Sequence, residues 1–448
     1  MRRRKFLKHT ALGLGTSCFT SCSVFDRRPN FIILIADDLR WDSLGIFNPI
    51  LHTPNLDQLA REGIVFLNNF VTTAICPTSR ASIFTGLYAH DHQIWDFNTP
   101  LNQDLWQLTY PYRLQQAGYT TAFIGKYGLG GELPTAKFDY WQGFEGQGEY
   151  FSSTRSEHLT SYLTGRAEEF IAATKTPFCL TLSHKAPHID DANPDNPLPA
   201  DPKFARLYEN VRLPVLNNAS SYTKLPEFLQ HSEARVRYEQ IFDQAGSYQN
   251  SLKQYYRLVT GLDDSVGRIV RALEKRKLID NTYIIFTSDN GLFLGEKGLV
   301  GKWFGFEPAI RTPLIIKPPA KFKQNFSRLD QIKAMSLNID LAPTILALAK
   351  VNAPAGKSKS GKSLVLLNEN NFRTYWLYEH LFTAPSLKIP VNLGIRTERY
   401  KYLYFPEYKY EMLFDLATDP MENNNLAANS NYLSLSKKYR ELIIRQKL

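Results

Sequence analysis

Two apolar runs that end in acids or an amide restrict most strongly what this chain can fold into. The runs lie at 30–36 and 282–287, and the polar residues that follow them are Asp37, Asp38, Asp289 and Asn290. Continuous apolar runs of this length are typical of strands buried on both faces, and parallel strands bring their carboxyl ends to one edge of a sheet. Carboxylate and amide oxygens are the ligands that hard divalent cations prefer. The sequence therefore predicts a metal site at this edge.

The rest of the chain alternates strand-like and helix-like patterns. Strand-like runs lie at 31–36, 120–124, 177–183, 282–287 and 312–317. Helical patterns separate them, at 54–62, 104–117, 158–173 and 252–277. This alternation predicts an α/β fold, with a large, mostly parallel sheet sandwiched by helices, and we assign it to a domain over 29–352.

A second, smaller domain is predicted after a basic Gly/Ser/Lys linker at 353–362. Four short strand-like runs follow the linker, at 373–379, 391–396, 400–405 and 411–414. A helical pattern at 431–446 closes the chain. We expect an α+β subdomain over 364–448, with a short antiparallel sheet and one helix.

A helix that begins near Cys76 places a thiol close to a guanidinium group. Pro77 suits the first helical position, where its missing N–H costs nothing, and Arg80 lies about one turn beyond the cysteine. The free N–H groups and the positive end of the helix dipole favour a bound anion. From these residues alone, an anion site and a buried thiol beside an ordinary helix start are about equally well supported.

The order of these segments along the chain resembles that of the type I, formylglycine-dependent sulfatases of the alkaline phosphatase superfamily. The resemblance covers roughly residues 30–426, and several ordered matches are more specific than any single one. The matching segments are Asp37-Asp38, His52-Thr53-Pro54, Cys76-Pro77-Thr78-Ser79-Arg80, Gly125-Lys126, Pro187-His188, Asp289-Asn290-Gly291, Gly301-Lys302, Asn338-Ile339-Asp340 and Leu413-Phe414-Asp415.

The resemblance implies a chemistry and a set of site residues. Cys76 would be oxidised by a maturation enzyme to formylglycine, whose hydrated aldehyde attacks the sulfur of a sulfate ester. One Ca²⁺ per chain would be held by the modified Cys76 together with Asp37, Asp38, Asp289 and Asn290. Arg80 would steer the modified residue, Lys126 and Lys302 would neutralise charge on the transferring group, and His188 would serve the leaving oxygen.

The cysteine segment departs from the family pattern. The family places Pro two residues after Cys, whereas here Pro77 follows directly and Thr78 stands at the usual Pro position. Because the maturation enzyme reads this segment, the efficiency of the modification is open.

A second departure lies two residues after Lys126. Gly128 stands where the family carries a histidine that acts as acid/base during sulfate release. We expect His184 to substitute for it, with His90 and His92 as further choices. An ordinary hydrogen-bonded histidine at a strand end is an equally good interpretation of His184.

The first residues indicate export. Arg3 and Arg4, followed by the apolar run 11–19, resemble a twin-arginine signal, and the run is too short to span a bilayer. Cys22 follows small residues, as in a lipoprotein cleavage site; a conventional cleavage site nearby is the alternative. We therefore assign 1–22 to an export signal and expect a periplasmic or cell-envelope protein, with a lipid anchor if Cys22 is the cleavage site.

Composition excludes other classes. A chain that is 43% hydrophobic and 13% aromatic has the composition of a globular protein, not of a disordered or membrane chain. Five of the charges behind its net +10 lie in the first eight residues, so the charge is no nucleic-acid footprint. Cys179 lies in an apolar run and is expected to be a buried, inert thiol.

The resemblance favours hydrolysis of a sulfate ester on a sulfated carbohydrate. One alternative is a phosphonate monoester or phosphodiester hydrolase on the same scaffold. Another is a degenerate member that binds sulfated glycans without hydrolysing them, although retention of all four oxygen ligands argues against it. Asp190, Asp191 and His380 are either substrate contacts or surface residues.

Overall fold

The computed structural model describes residues 28–445, apart from 176, 215–218, 244–246, 321–329, 353–359, 366, 368–371 and 385. The export signal predicted at 1–22 lies outside the described residues, as does most of the linker predicted at 353–362. Within the part of the chain that is described, no helix is both long and apolar enough to cross a membrane.

The strands follow the predicted runs closely, with short additional strands between them. In chain order they are β1 (Asn30–Asp37), β2 (Ile64–Phe66), β3 (Asn69–Phe70), β4 (Thr120–Lys126), β5 (Tyr140–Phe144), β6 (Phe178–Pro187), β7 (Thr282–Ser288), β8 (Phe293–Leu294), β9 (Val300–Gly301), β10 (Leu314–Lys317), β11 (Gln331–Ile332), β12 (Ser336–Leu337), β13 (Tyr375–His380), β14 (Asn392–Thr397), β15 (Tyr400–Phe405) and β16 (Tyr410–Asp415).

The helices lie between these strands. In chain order they are α1 (Pro54–Glu62), α2 (Cys76–Thr85), α3 (Ala89–His92), α4 (Gln103–Trp106), α5 (Tyr110–Gln116), α6 (Leu159–Ala173), α7 (Glu227–Gln230), α8 (Glu233–Ile241), α9 (Ser247–Lys275), α10 (Glu307–Ile310), α11 (Leu341–Leu348) and α12 (Leu433–Arg445). The helix predicted at 104–117 divides into α4 and α5, because the Thr109 hydroxyl caps a new helix that has Pro111 in its first turn.

Eight strands form the main sheet, in the order β11-β2-β10-β7-β1-β6-β4-β5. The pairs along β7-β1-β6-β4-β5 are parallel, whereas β10 runs antiparallel to both of its neighbours. The predicted α/β class with a large, mostly parallel sheet is confirmed.

The central strand β1 is buried on both faces, as its continuous apolar sequence predicts. Because side chains alternate along a strand, Ile32 and Leu34 pack into a core with α1, α6 and α9. Phe31 and Ile33 point the other way, into a core with α2, α5 and α11. The sheet is therefore sandwiched between two layers of helices, and α2 belongs to the second layer.

The C-terminal part forms the predicted small antiparallel sheet, in the order β13-β14-β15-β16, with α12 packed on β14 and β15. One end of this sheet docks beside the segment that enters α2. The Glu379 N–H donates to the Thr72 carbonyl (2.9 Å), and the Thr73 hydroxyl donates to the Glu379 carbonyl (2.6 Å). The small sheet thus supports the chain three and four residues before Cys76.

Candidate active site

The carboxyl ends of β1 and β7 bring the predicted polar residues together. The two strands pair in parallel, with Ala36 opposite Ser288. The Asp38 N–H donates to Oδ1 of Asp289 (3.3 Å), and the Asn290 amide donates to Oδ1 of Asp38 (2.5 Å). The oxygen-bearing side chains expected at this edge of the sheet therefore do meet there.

Asp38 sits on strained backbone. Its φ of 64° lies in the left-handed region, which costs a non-glycine residue about 1–2 kcal/mol. Two hydrogen bonds hold it: the Tyr255 hydroxyl donates to the Asp38 carbonyl (2.9 Å), and the Leu39 N–H donates to the Ser288 hydroxyl (3.0 Å). Strain of this kind clusters at functional sites, where the surrounding structure maintains it.

Helix α2 carries Cys76 at its first residue and Arg80 one turn later. Pro77 lies in the first turn, and the helix ends at Gly86, whose φ of 75° lets its N–H donate to the Ser82 carbonyl. Every residue of α2 is buried. The helix is therefore held on all sides and fixes the position of its first residue.

Cys76 is enclosed by opposite charges. Its thiol donates to Oδ1 of Asp37 (3.3 Å), and the Lys302 ammonium donates to Sγ (3.0 Å). Burial, with Asp37 beside the thiol, raises the pKa of Cys76 to about 12. The unmodified residue therefore stays a thiol near neutral pH and is a poor nucleophile.

Arg80 ties three strands to α2. Its guanidinium donates to Oδ2 of Asp289 (2.8 Å), to the Lys126 carbonyl (2.6 Å) and to the Ser183 hydroxyl (2.6 Å), and it lies 3.4 Å from Oδ2 of Asp37. All of these groups are buried. Ser183 was not singled out from the sequence, although its alternation along β6 places it on the same face of the sheet as α2.

The two predicted lysines reach the same carboxylates. Lys126 pairs with Oδ2 of Asp37 and donates to Oε1 of Gln147 (2.6 Å), and Lys302 pairs with Oδ1 of Asp38. Burial would raise the pKa of Asp37, but Lys126 and the other cations around it hold that pKa well below its ordinary value. Burial raises the pKa of Asp38 to about 6 in spite of Lys302. Gln147 comes from a long loop that has no periodic signal, so the sequence did not reveal it.

His188 presents one ring nitrogen to this cluster. Its Nδ1–H donates to the Ile189 carbonyl (2.5 Å), the Tyr150 hydroxyl donates to the His188 carbonyl (2.7 Å), and Nε2 lies 3.6 Å from Oδ2 of Asp38. Burial and the charge of Lys302 hold the pKa of His188 well below its ordinary value. The neutral ring therefore turns its unprotonated Nε2 toward the carboxylates.

These side chains have the composition of a metal site. Among the described residues, Asp37, Asp38, Cys76 and His188 offer ligand atoms that all lie within 4.8 Å of one another. Oδ1 of Asn290 is buried and has no hydrogen-bond partner in the described structure. A cation would satisfy this orphaned oxygen together with the neighbouring carboxylates, and a set dominated by oxygen suits a hard ion. The residues therefore fit Ca²⁺.

The structure explains the glycine at position 128. Gly128 has φ 66°, and a Cβ there would lie 2.8 Å from Cδ and 3.0 Å from Nε of Arg80. The Arg80 side chain thus fills the space that a side chain at 128 would enter. The absence of a histidine at position 128 therefore allows Arg80 to pack directly against the backbone of Gly128.

His184 is not part of the cluster, contrary to the role predicted for it. It follows Ser183 on β6, so it points to the opposite face of the sheet, where Nε2 contacts the Ser265 hydroxyl of α9 (3.0 Å). Burial lowers the pKa of His184 to about 3. His184 therefore matches the alternative interpretation, a buried histidine that makes a structural hydrogen bond.

The other histidines considered also have separate partners. His92 contacts the Ser82 hydroxyl (3.1 Å), and His90 contacts the Glu379 carboxylate (2.8 Å). His380 is fully buried on β13. Of the histidines considered for catalysis, the structure brings only His188 to the carboxylates around Cys76, where it lies near Asp38.

Family models match almost the whole chain. A model described as Sulfatase matches residues 29–351, and one described as N-sulphoglucosamine sulphohydrolase, C-terminal, matches residues 295–447. The N-acetylglucosamine-6-O-sulfatase of Bacteroides thetaiotaomicron is 29% identical, over 97% of this chain and 88% of its own length.

Solved structures share the fold. One is described as an enzyme in complex with its substrate D-glucosamine-2-N,6-O-disulfate; it superposes with a TM-score of 0.78 at 27% identity and covers 94% of this chain and 97% of its own. A phosphonate monoester hydrolase of Agrobacterium radiobacter superposes with a TM-score of 0.79 at 22% identity, covering 94% of this chain and 95% of its own, and shows the fold alone.

Proposed function

Because the chain belongs to the sulfatase family and is a sulfuric ester hydrolase, we propose that it hydrolyses the sulfate ester of a sulfated glucosamine. The observation that carries this proposal is the buried cluster around Cys76, in which Lys302 contacts Sγ and the carboxylates of Asp37, Asp38 and Asp289 lie at the adjoining strand ends. The relatives named for glucosamine sulfates support the substrate class.

We further propose that Cys76 is converted to formylglycine by a maturation enzyme and that Asp37, Asp38, Asp289 and Asn290 hold one Ca²⁺. The conversion would supply a nucleophile that the unmodified residue does not provide, because burial raises the pKa of the Cys76 thiol and keeps it protonated. A bound Ca²⁺ supplies Lewis-acid polarisation of a sulfate oxygen and orients the nucleophile.

The chain's own residues divide the remaining tasks. We propose that Lys302, which pairs with Asp38, and Lys126, which pairs with Asp37, neutralise the charge of the bound ester with their ammonium groups. Arg80 holds the carboxylates of Asp37 and Asp289 in position through buried hydrogen bonds, so that the geometry of the proposed metal ligands does not depend on solvent. Burial of the whole cluster strengthens each of these charge interactions.

We propose that His188 serves the leaving oxygen. Its Nδ1–H is committed to the Ile189 carbonyl, so Nε2 is the ring atom that faces the site. The negative charge of an incoming sulfate ester favours protonation of Nε2, which can then donate that proton to the departing alcohol.

Export to the cell envelope belongs to the same proposal. The twin-arginine pattern and Cys22 support it, with a lipid anchor where cleavage occurs before Cys22. Fractionation of cells, together with labelled palmitate, distinguishes a lipid-anchored protein from one that is free in the periplasm.

The test of the function compares three substrates on protein that is co-produced with a maturation enzyme. We expect sulfate release from N-acetylglucosamine 6-sulfate and from 4-nitrophenyl sulfate, and no comparable release of 4-nitrophenol from the phosphonate monoester 4-nitrophenyl phenylphosphonate. Faster turnover of the phosphonate would favour the alternative hydrolase. Binding of the sulfated sugar without turnover, in fully modified protein, would favour the degenerate, glycan-binding alternative.

A further inference from the structure

A polar cavity lies beside the chain segment that directly follows His188. Its volume is about 370 Å³, and its lining includes Ile189, Asp190, Asp191, Glu233 and Arg237. Ile189 directly follows His188 in the chain. One wall of the cavity therefore lies one residue beyond the histidine that we assign to the leaving oxygen.

Another wall of the cavity lies near the segment that carries Lys302. Arg237, on α8, lies with its guanidinium carbon 5.2 Å from the ring centre of Trp303, the residue next to Lys302. Trp303 is buried and has φ 78°, and three hydrogen bonds hold its backbone: its N–H donates to the Ala74 carbonyl, and its carbonyl accepts from Tyr378 and Asn392. Two walls of the cavity therefore neighbour segments that carry site residues, one through Ile189 beside His188 and one through Arg237 against Trp303 beside Lys302.

The charges of the cavity are arranged around Arg237. Its guanidinium lies 3.1 Å from Oδ1 of Asp191 and donates to Oε1 of Glu233 (2.9 Å). Asp190 forms a separate ion pair, with Oδ1 3.0 Å from Nζ of Lys185. Two carboxylates therefore share one arginine, which leaves an excess of one negative charge and free carboxylate lone pairs on the cavity wall.

We propose that this cavity binds the alcohol portion of the substrate, the sugar ring that carries the ester, and that Asp191 is its specificity-determining residue. The inference rests on the proposed function and adds the recognition of the leaving group. A carboxylate accepts hydrogen bonds from the hydroxyl groups of a sugar, and Asp191 is about half exposed (48% of its side chain), so it can reach them. Arg237 is the positioning residue that fixes the carboxylate.

The excess negative charge sets the preference among sugars. A ring with free hydroxyl groups or an amino group is favoured, whereas a second sulfate in this cavity meets repulsion from Asp191 and Glu233. The subsite therefore selects a monosulfated ring over one that carries a second anion on the same face.

The test separates the subsite from the chemistry by using two substrates. Asp191→Ala should raise KM for N-acetylglucosamine 6-sulfate about 10-fold or more, the effect of losing a charge-assisted hydrogen bond, and leave kcat/KM for 4-nitrophenyl sulfate unchanged. Asp191→Asn should restore part of the affinity and weaken discrimination against the disulfated sugar. The control is Asp264→Ala, which removes a similar surface carboxylate that pairs with Lys203 (2.8 Å) on the outside of α9.

An activity-independent measurement completes the test. In saturation-transfer NMR, N-acetylglucosamine without sulfate should bind the unaltered protein and lose its signal in Asp191→Ala, but not in Asp264→Ala. Unchanged KM for the sugar sulfate, equal losses on both substrates, or sugar binding that survives Asp191→Ala would overturn the subsite. Failure of the unaltered enzyme on both sulfate esters, with sugar binding intact, would instead contradict the proposed function.

Discussion

Replacing Gly128 by alanine should both destabilise the protein and displace Arg80. The left-handed backbone at φ 66° costs a non-glycine residue about 1–2 kcal/mol. The new Cβ would also lie 2.8 Å from Cδ of Arg80, which cannot move freely because its guanidinium is held by Asp289, the Lys126 carbonyl and Ser183. Overpacking of this kind costs about 1–3 kcal/mol, so we expect a total loss of about 2–5 kcal/mol in the free energy of unfolding.

Gly146→Ala is the matched control for this change. Gly146 has φ 67°, and a Cβ there would have no neighbour within 4 Å, so it carries the backbone cost without the steric one. Urea unfolding of both variants isolates the steric contribution. We also expect kcat to fall about 10- to 100-fold in Gly128→Ala alone, because Arg80 positions the carboxylates. Equal stabilities of the two variants, or full activity of Gly128→Ala, would refute this account of the glycine.

Further predictions concern the metal and the buried histidine. Chelation should abolish activity and Ca²⁺ should restore it, with one Ca²⁺ per chain by metal analysis. Zinc at full occupancy would contradict this, because it would indicate a softer ion held by His188 and Cys76. His184→Gln should leave kcat unchanged. Accumulation of a covalently sulfated enzyme in this variant would contradict the structural interpretation and show that His184 acts in sulfate release. Because burial lowers the pKa of His184 to about 3, below the ordinary 6.5, its contribution to stability is complete above pH 6.5 and is lost as the pH falls toward 3. Urea unfolding at pH 7 and at pH 5 should therefore show that the free energy of unfolding falls less between these two pH values in His184→Gln than in the unaltered protein.

Much of the fold was predictable because its central strands are long and continuously apolar. The run at 30–36 became β1, and the acids after it meet the residues after β7 because parallel strands end at one edge. The short strand β11 was not predicted, since it is only two residues long. At that length, neighbouring strands decide the pairing and the local pattern carries little information.

The candidate site was predictable where residues stand at strand or helix ends, and less so elsewhere. The choice of His184 used its distance in sequence from His188 and ignored alternation along β6, which turns Ser183 toward Arg80 and His184 toward Ser265. The contact of Gln147 with Lys126 depends on how a long loop folds back, and a single sequence contains no periodic signal for it.

The central claim is that residue 76 acts as a converted cysteine, and one measurement tests it most directly. Protein is prepared with increasing amounts of a maturation enzyme, the fraction of formylglycine in the peptide containing Cys76 is determined by mass spectrometry, and sulfate release from N-acetylglucosamine 6-sulfate is measured on the same samples. We predict that activity rises in proportion to the converted fraction, is zero when no Cys76 is converted, and is absent from Cys76→Ala. Full activity in protein whose Cys76 is an intact thiol would contradict the account.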